Sequence, residues 1–219
     1  MFLSFAAIAQ QAAPPQPPQA PAPPAGPTAE QLWAALLQGN KAFAAGKITF
    51  DTLKEERLAM RDHQTPPVTV LACSDSRVPP ELVFNQSLGA LFVIRTAGNV
   101  ADEFGLASID FALLQGYTRL LVVLGHENCG AVRAALGGAD PNVPALAALA
   151  RRIRTSFINI PYDSRDAANV RRATEMNAQA SAAYLLASSK ILRDAMATGL
   201  VKVVPAYYDM GTGEVKMLP

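Results

Sequence analysis

Val68-Thr69-Val70-Leu71-Ala72-Cys73-Ser74-Asp75-Ser76-Arg77 is the stretch on which the reading of this chain turns. Its first five residues have the length and β-branching of a buried strand, which puts Cys73 and Asp75 at the strand's C-terminal end. Two residues apart, they can face the same way, so a thiol and a carboxylate are aimed at one point. A second stretch answers the first: Arg119-Leu120-Leu121-Val122-Val123-Leu124-Gly125-His126, then Glu127-Asn128-Cys129-Gly130, with Ala131 to Leu136 reading as a helix. His126 closes another buried strand, and Cys129 falls in the first turn of the following helix, where it can turn to the same side. The pair of stretches offers two sulfurs, one imidazole and one carboxylate. Zinc takes four ligands of these kinds in tetrahedral geometry, whereas magnesium and calcium prefer all-oxygen shells.

Between the two stretches, Leu91 to Ala97 reads as a further buried strand and Gly98-Asn99 as a turn. Phe104, Ile109, Ala112 and Leu113 mark an amphipathic helix from about Asp102 to Gln115, with Gly116 able to cap it. Strand, helix and strand then repeat through His126, which predicts an α/β fold with a mostly parallel central sheet, right-handed crossovers and flanking helices. In such sheets ligands bind beyond the carboxyl ends of the strands, where Cys73 and His126 lie. Downstream come a loop with Pro141 and Pro144, helical turns from Leu146 to Ile153, and a long Ala-rich helix from about Arg165 to Ala197. Val201 to Met210 reads as another strand, and Gly211-Thr212-Gly213 turns the chain into Glu214-Val215-Lys216-Met217-Leu218, an edge hairpin.

Upstream, Thr28-Ala29-Glu30-Gln31 is a capping-box pattern, and Leu32, Trp33, Leu36, Leu37 and Phe43 form an apolar stripe at helical spacing. Trp33 reads as packing rather than chemistry. Thr52 to Arg61 reads as a second, more polar helix, and Pro66-Pro67 stops any helix before the first strand. The 219 residues divide into 1-27, a leader and linker, and 28-219, one domain. No charged side chain occurs before Thr28, and eight of the 17 prolines lie between Pro14 and Pro27. Phe2 to Ala9 has the form of a short signal-peptide core ending in Ala7-Ile8-Ala9, without a basic n-region, which points to export to the periplasm with the cytoplasm as the alternative. The run is too short to span a bilayer. A formal net charge of +1 with 17% charged residues argues against a nucleic-acid surface or an electrostatic membrane patch. The partner is a small molecule or another copy of the chain.

At the C-x-D-x-R element of Cys73 to Arg77 and the H-x-x-C element of His126 to Cys129, with Phe92-Val93-Ile94-Arg95-Thr96-Ala97-Gly98-Asn99-Val100 between them, the sequence resembles a β-class carbonic anhydrase. The resemblance covers about Thr28 to Pro219. It implies reversible hydration of carbon dioxide to bicarbonate and a proton by a zinc-bound hydroxide, with one Zn²⁺ per chain held by Cys73, His126 and Cys129. Asp75 either joins the metal in an inactive state or is drawn off it by Arg77, whose planar fork suits a carboxylate. Gln64, nine residues before Cys73, matches a glutamine that hydrogen-bonds substrate or product. Phe92, Ala97 and Gly98 match the substrate pocket, with Phe111 reaching across a dimer interface where relatives often carry tyrosine. The resemblance further implies a homodimer or a tetramer of dimers, with the N-terminal helices packing on a partner subunit. Two thiolates already neutralise Zn²⁺, so a water on it should be more basic than one on a tris-imidazole zinc, and activity should rise with pH.

Other readings compete with these. Two cysteines in an exported protein often form a disulfide, and four protein ligands can make a closed structural zinc site. On the same fold, hydrolysis of carbon disulfide or carbonyl sulfide is the enzymatic alternative, and a non-catalytic zinc-binding interaction protein is the alternative from another class. His63 reads as a surface histidine rather than a proton shuttle, and core packing competes for Phe92, Ala97 and Phe111. Relatives inhibited by bicarbonate carry a tryptophan three residues before the first cysteine ligand and a glycine immediately before it. Here those positions are Val70 and Ala72, and only Arg95 matches that anion pocket. The expectation is zinc holding water rather than Asp75 at neutral pH, without cooperative bicarbonate inhibition.

Overall fold

The fold is built on two adjacent strands that are buried along their whole length, β1 (Val68–Cys73) and β3 (Leu120–His126). A computed structural model describes residues 26–219, so the leader and nearly all of the linker lie outside the described residues. In chain order the remaining elements are α1 (Ala29–Ala44), α2 (Leu53–Ala59), α3 (Pro80–Val83), β2 (Leu91–Thr96), α4 (Glu103–Leu114), α5 (Gly130–Gly137), α6 (Pro144–Arg154), α7 (Ala167–Ser188), α8 (Lys190–Ala197), β4 (Lys202–Tyr208) and β5 (Val215–Met217). The sheet runs β2-β1-β3-β4-β5, with every pairing parallel except that of β5 on β4. β5 is the edge hairpin strand expected from the Gly-rich turn.

Alternation along the strands divides the core between two faces. Val68, Val70 and Ala72 pack with Leu120, Val122 and Leu124 under Leu32 and Leu36 of α1 and Val83 and Phe84 of the α3 region. Leu71, Leu121 and Val123 face the opposite side, against Ile109 of α4, Ala178 and Leu185 of α7 and Leu192 of α8. Leu32 and Leu36 of the α1 stripe are thus buried within the chain itself. Asn40 of α1 fastens it by donating to the carbonyls of Val83 at 3.0 Å and Gly213 at 2.8 Å, while its Oδ1 accepts from Val215 N–H at 2.8 Å. α2 buries no residue and leaves Leu53 and Leu58 exposed. The capping box forms as read, with Thr28 and Gln31 each accepting from the other's backbone N–H.

The long Ala-rich helix is two helices. Ser189 ends α7 in extended conformation and caps α8, accepting from Leu192 N–H at 2.9 Å and donating to Asp110 at 2.5 Å. Apolar period runs through this break because both helices lay their stripes on the same sheet face. α7 itself approaches β3 very closely: a Cβ at Gly125 would come within 3.1 Å of Thr174 Cγ2 and 3.3 Å of Ala178 Cβ. That contact carries the middle of α7 to the C-terminal ends of β1 and β3. Among the described residues no helix is long and apolar enough to cross a membrane.

Candidate metal centre

Cys73 ends β1 on the α7 side of the sheet, His126 ends β3, and Cys129 lies just before the first residue of α5 as its N-cap. Their ligand atoms all lie within 4.8 Å of one another, and all three residues are buried. Both cysteines are free, with sulfurs 4.0 Å apart, about twice the length of a disulfide bond. A tetrahedral zinc with Zn–S near 2.3 Å would set the sulfurs roughly 3.8 Å apart, so the spacing fits a shared cation.

The histidine is prepared for the same task. Its Nδ1 lies 2.9 Å from the Glu127 carbonyl. A carbonyl only accepts, so Nδ1 carries the proton and Nε2 is left with a lone pair. Nε2 is fully buried and has no hydrogen-bond partner, which is costly for an imidazole nitrogen unless a cation meets it. Glu127 is in turn anchored by its carboxylate, which accepts from the N–H groups of Met210 at 3.0 Å and Gly211 at 3.1 Å in the β4–β5 turn. This is the second-sphere support by which a metal-binding imidazole is oriented.

The two sulfurs lie within hydrogen-bonding reach of each other. Its hydrogen bond with Cys129 holds the Cys73 thiol well below the ordinary thiol range, helped by His126 and by the Gly98 N–H at 3.2 Å. Contact with Cys73, then burial, pushes the Cys129 thiol up, against the pull of the Val132 and Ala131 N–H groups at the start of α5. A divalent cation between them would displace the remaining proton, since the thiolate is the metal-binding form.

Asp75 stands beside this cluster, its Oδ2 4.0 Å from His126 Nε2. Arg77 holds it from both sides, Nε to Oδ1 at 2.9 Å and Nη2 to Oδ2 at 2.7 Å, and the Arg77 backbone N–H adds a third bond at 3.0 Å. The Arg77 side chain keeps the Asp75 carboxyl far below the usual carboxylate range. Arg95, at the exposed edge of β2, donates to the carbonyls of Cys73 at 3.0 Å and Asp75 at 2.6 Å and so stitches the loop that carries both. Its guanidinium is engaged with backbone.

The remaining site residues named from the sequence are dispersed. Gly98 is buried against Cys73, while Ala97 is exposed. Phe92 and Phe111 of the same chain have ring centroids 6.3 Å apart, and Phe111 is 49% exposed. Gln64 is exposed and lines a surface hollow with Met60, Arg61 and Leu88, none of them a member of the cluster. Sequence reading missed Asn177 of α7, which donates to the Gly98 carbonyl at 2.7 Å from a buried position. Its signal was the single amide on a buried helix face otherwise made of aliphatic and small hydroxyl side chains.

A parallel α/β sheet with a buried Cys-His-Cys cluster at its carboxyl end, flanked by an arginine-held aspartate, defines a protein built to hold a metal ion. Comparison with known proteins makes the class specific. The family model described as carbonic anhydrase matches residues 68–215. Carbonic anhydrase 2 of Mycobacterium tuberculosis is 33% identical over 186 residues, 83% of this chain and 88% of that protein. The carbonic anhydrase of Mycolicibacterium smegmatis is 34% identical over 192 residues, 84% of this chain and 91% of its own length. Among solved structures, the β-carbonic anhydrase of Aspergillus fumigatus aligns with TM-score 0.64 and 28% identity over 85% of this chain and 90% of that one. A tetrameric enzyme from Sordaria macrospora shares the fold at TM-score 0.67 and 23% identity, over 85% and 96%. The chain belongs to the carbonic anhydrase family, in its zinc-dependent β class.

Proposed function

We propose that this chain interconverts carbon dioxide and bicarbonate, with Cys73, His126 and Cys129 holding one zinc ion per chain and Asp75 serving as the adjacent gate. The observation that carries it is the buried, unpartnered His126 Nε2 set among two sulfurs, with an ionised carboxylate 4.0 Å away. Zinc, when bound, supplies the Lewis acidity that makes water a nucleophile near neutral pH. This chain's residues do the rest. Arg77 keeps Asp75 ionised and fixes both its oxygens, so the carboxylate can accept a hydrogen bond from a water and orient it. The Gly98 N–H supports the Cys73 sulfur, and Glu127 holds the His126 tautomer.

Phe92, Phe111 and Ala97 offer apolar surface suited to a small apolar gas. Gln64 lies exposed and apart from the cluster, and Phe104, Phe111 and Leu114 leave an apolar stripe on α4 open at 79%, 49% and 70% exposure. Both features support a site completed by a second copy of the chain, which brings Gln64 and Phe111 to its partner. Arg95 is tied to two carbonyls, and Val70 and Ala72 fill the neighbouring strand positions. That supports activity without cooperative inhibition by bicarbonate.

Stopped-flow hydration of carbon dioxide by the purified chain, with its zinc content and sedimentation measured on the same sample, tests this reading. Activity proportional to zinc, in a dimer or larger assembly, is expected. Zinc-replete protein without hydration would refute the reaction, and a fully active monomer would refute the shared site.

A further inference from the structure

We infer that Asn177 is a positioning residue for the metal centre, acting through Gly98 on the sulfur of Cys73; this rests on the reading of Cys73 as a metal ligand. Gly98 has φ 68° and ψ 25°, a conformation with little steric restraint for glycine. Its N–H donates to Cys73 Sγ at 3.2 Å, and its carbonyl accepts from Asn177 Nδ2 at 2.7 Å, both in buried surroundings. The direction of the N–H depends on the torsions on either side of Gly98, and the segment supplies no Cβ of its own at that residue to resist rotation. Asn177 grips the carbonyl end and thereby fixes where the N–H end points. α7 holds Asn177 there because Thr174 and Ala178, on the same buried face, sit directly on Gly125 beside His126. One helix thus sets the distance to the His126 strand and, through its amide, the donor to Cys73.

The chemical consequence lies at the sulfur. An N–H bond to a thiolate lowers the energy of its lone pairs and stabilises its ionised form. Groups that orient metal ligands in this way typically alter metal affinity by about 10- to 100-fold. Remote from the reacting atoms, Asn177 would leave its mark on the metal–sulfur bond before it marks anything else.

The test uses the full chain loaded with Co²⁺ in place of Zn²⁺, and compares Asn177→Ala and the similarly shaped Asn177→Leu with wild type and with Leu185→Ala, a core truncation elsewhere on α7. Expected for both Asn177 variants are a sulfur-to-cobalt charge-transfer band moved to longer wavelength and metal affinity weakened about tenfold by chelator competition. Leu185→Ala should lower thermal stability and move neither. The inference is overturned by an unmoved band in both Asn177 variants, or by an equal shift in Leu185→Ala. A wild-type chain that binds no metal overturns it together with the ligand assignment. One that binds metal with these shifts yet hydrates no carbon dioxide upholds it and refutes the reaction alone.

Discussion

Gly98→Ala should destabilise the zinc-loaded protein by about 2–5 kcal/mol, and the structure separates that figure into two parts. The first is conformational: φ of 68° lies in the left-handed region, which costs a residue with a Cβ about 1–2 kcal/mol. The second is steric, because the new methyl would lie 3.0 Å from Ile153 Cδ1 and 3.1 Å from Ala131 Cβ. Overpacking of that kind costs about 1–3 kcal/mol. For a domain of this size the sum corresponds to a melting temperature lower by roughly 4–20 °C. Equilibrium denaturation under saturating zinc, run as a double-mutant cycle with Ile153→Val, isolates the Ile153 share of the steric part, since valine lacks the Cδ1 that clashes. The cycle should show about 1 kcal/mol or more of favourable coupling, leaving the conformational part and the Ala131 contact behind. Gly98→Ala as stable as wild type would refute the reasoning about both parts. A cycle with no coupling would refute the clash while leaving the torsional argument.

Cys73→Ser and His126→Ala should each lose metal and activity together, measured by metal analysis of purified protein; full zinc occupancy in both would break the ligand assignment. Burial pushes the Tyr207 phenol up to about 12. Because the fold favours the neutral form, this stabilisation is complete below the unfolded value near 10 and fades as pH rises toward 12. Wild type should therefore lose stability relative to Tyr207→Phe over that interval, in denaturant titrations at stepped pH. Removing residues 1–27 should leave the fold and zinc content intact, whereas removal through Gly46 strips Leu32, Leu36 and Asn40 from the core and leaves the Gly213 and Val83 carbonyls and the Val215 N–H without their partner. Circular dichroism should show a folded first product and a much weakened second, and equal stability would contradict the intrachain role of α1.

The buried Cys-His-Cys cluster could be read from the chain itself because each of its residues sits at a point where local rules fix direction. Cys73 and His126 end apolar strands whose alternation sets the face, and Cys129 follows His126 by three residues at a helix start. The mostly parallel sheet and the edge hairpin were legible for the same reason, through hydrophobic period and Gly-rich turns, while the strand order came only from the structure. What lay beyond local rules was every contact made across long separations. That Leu32, Leu36 and Asn40 of α1 settle against β3, α3 and the β5 hairpin was not legible in the stripe alone. The break at Ser189 was invisible because a capping hydroxyl leaves apolar period undisturbed. The Asn177–Gly98 bond joins residues 79 positions apart. Only the packing of α7 on Gly125 brings them together, since the sequence codes direction along each element, while distance between elements is set by how their side chains fit.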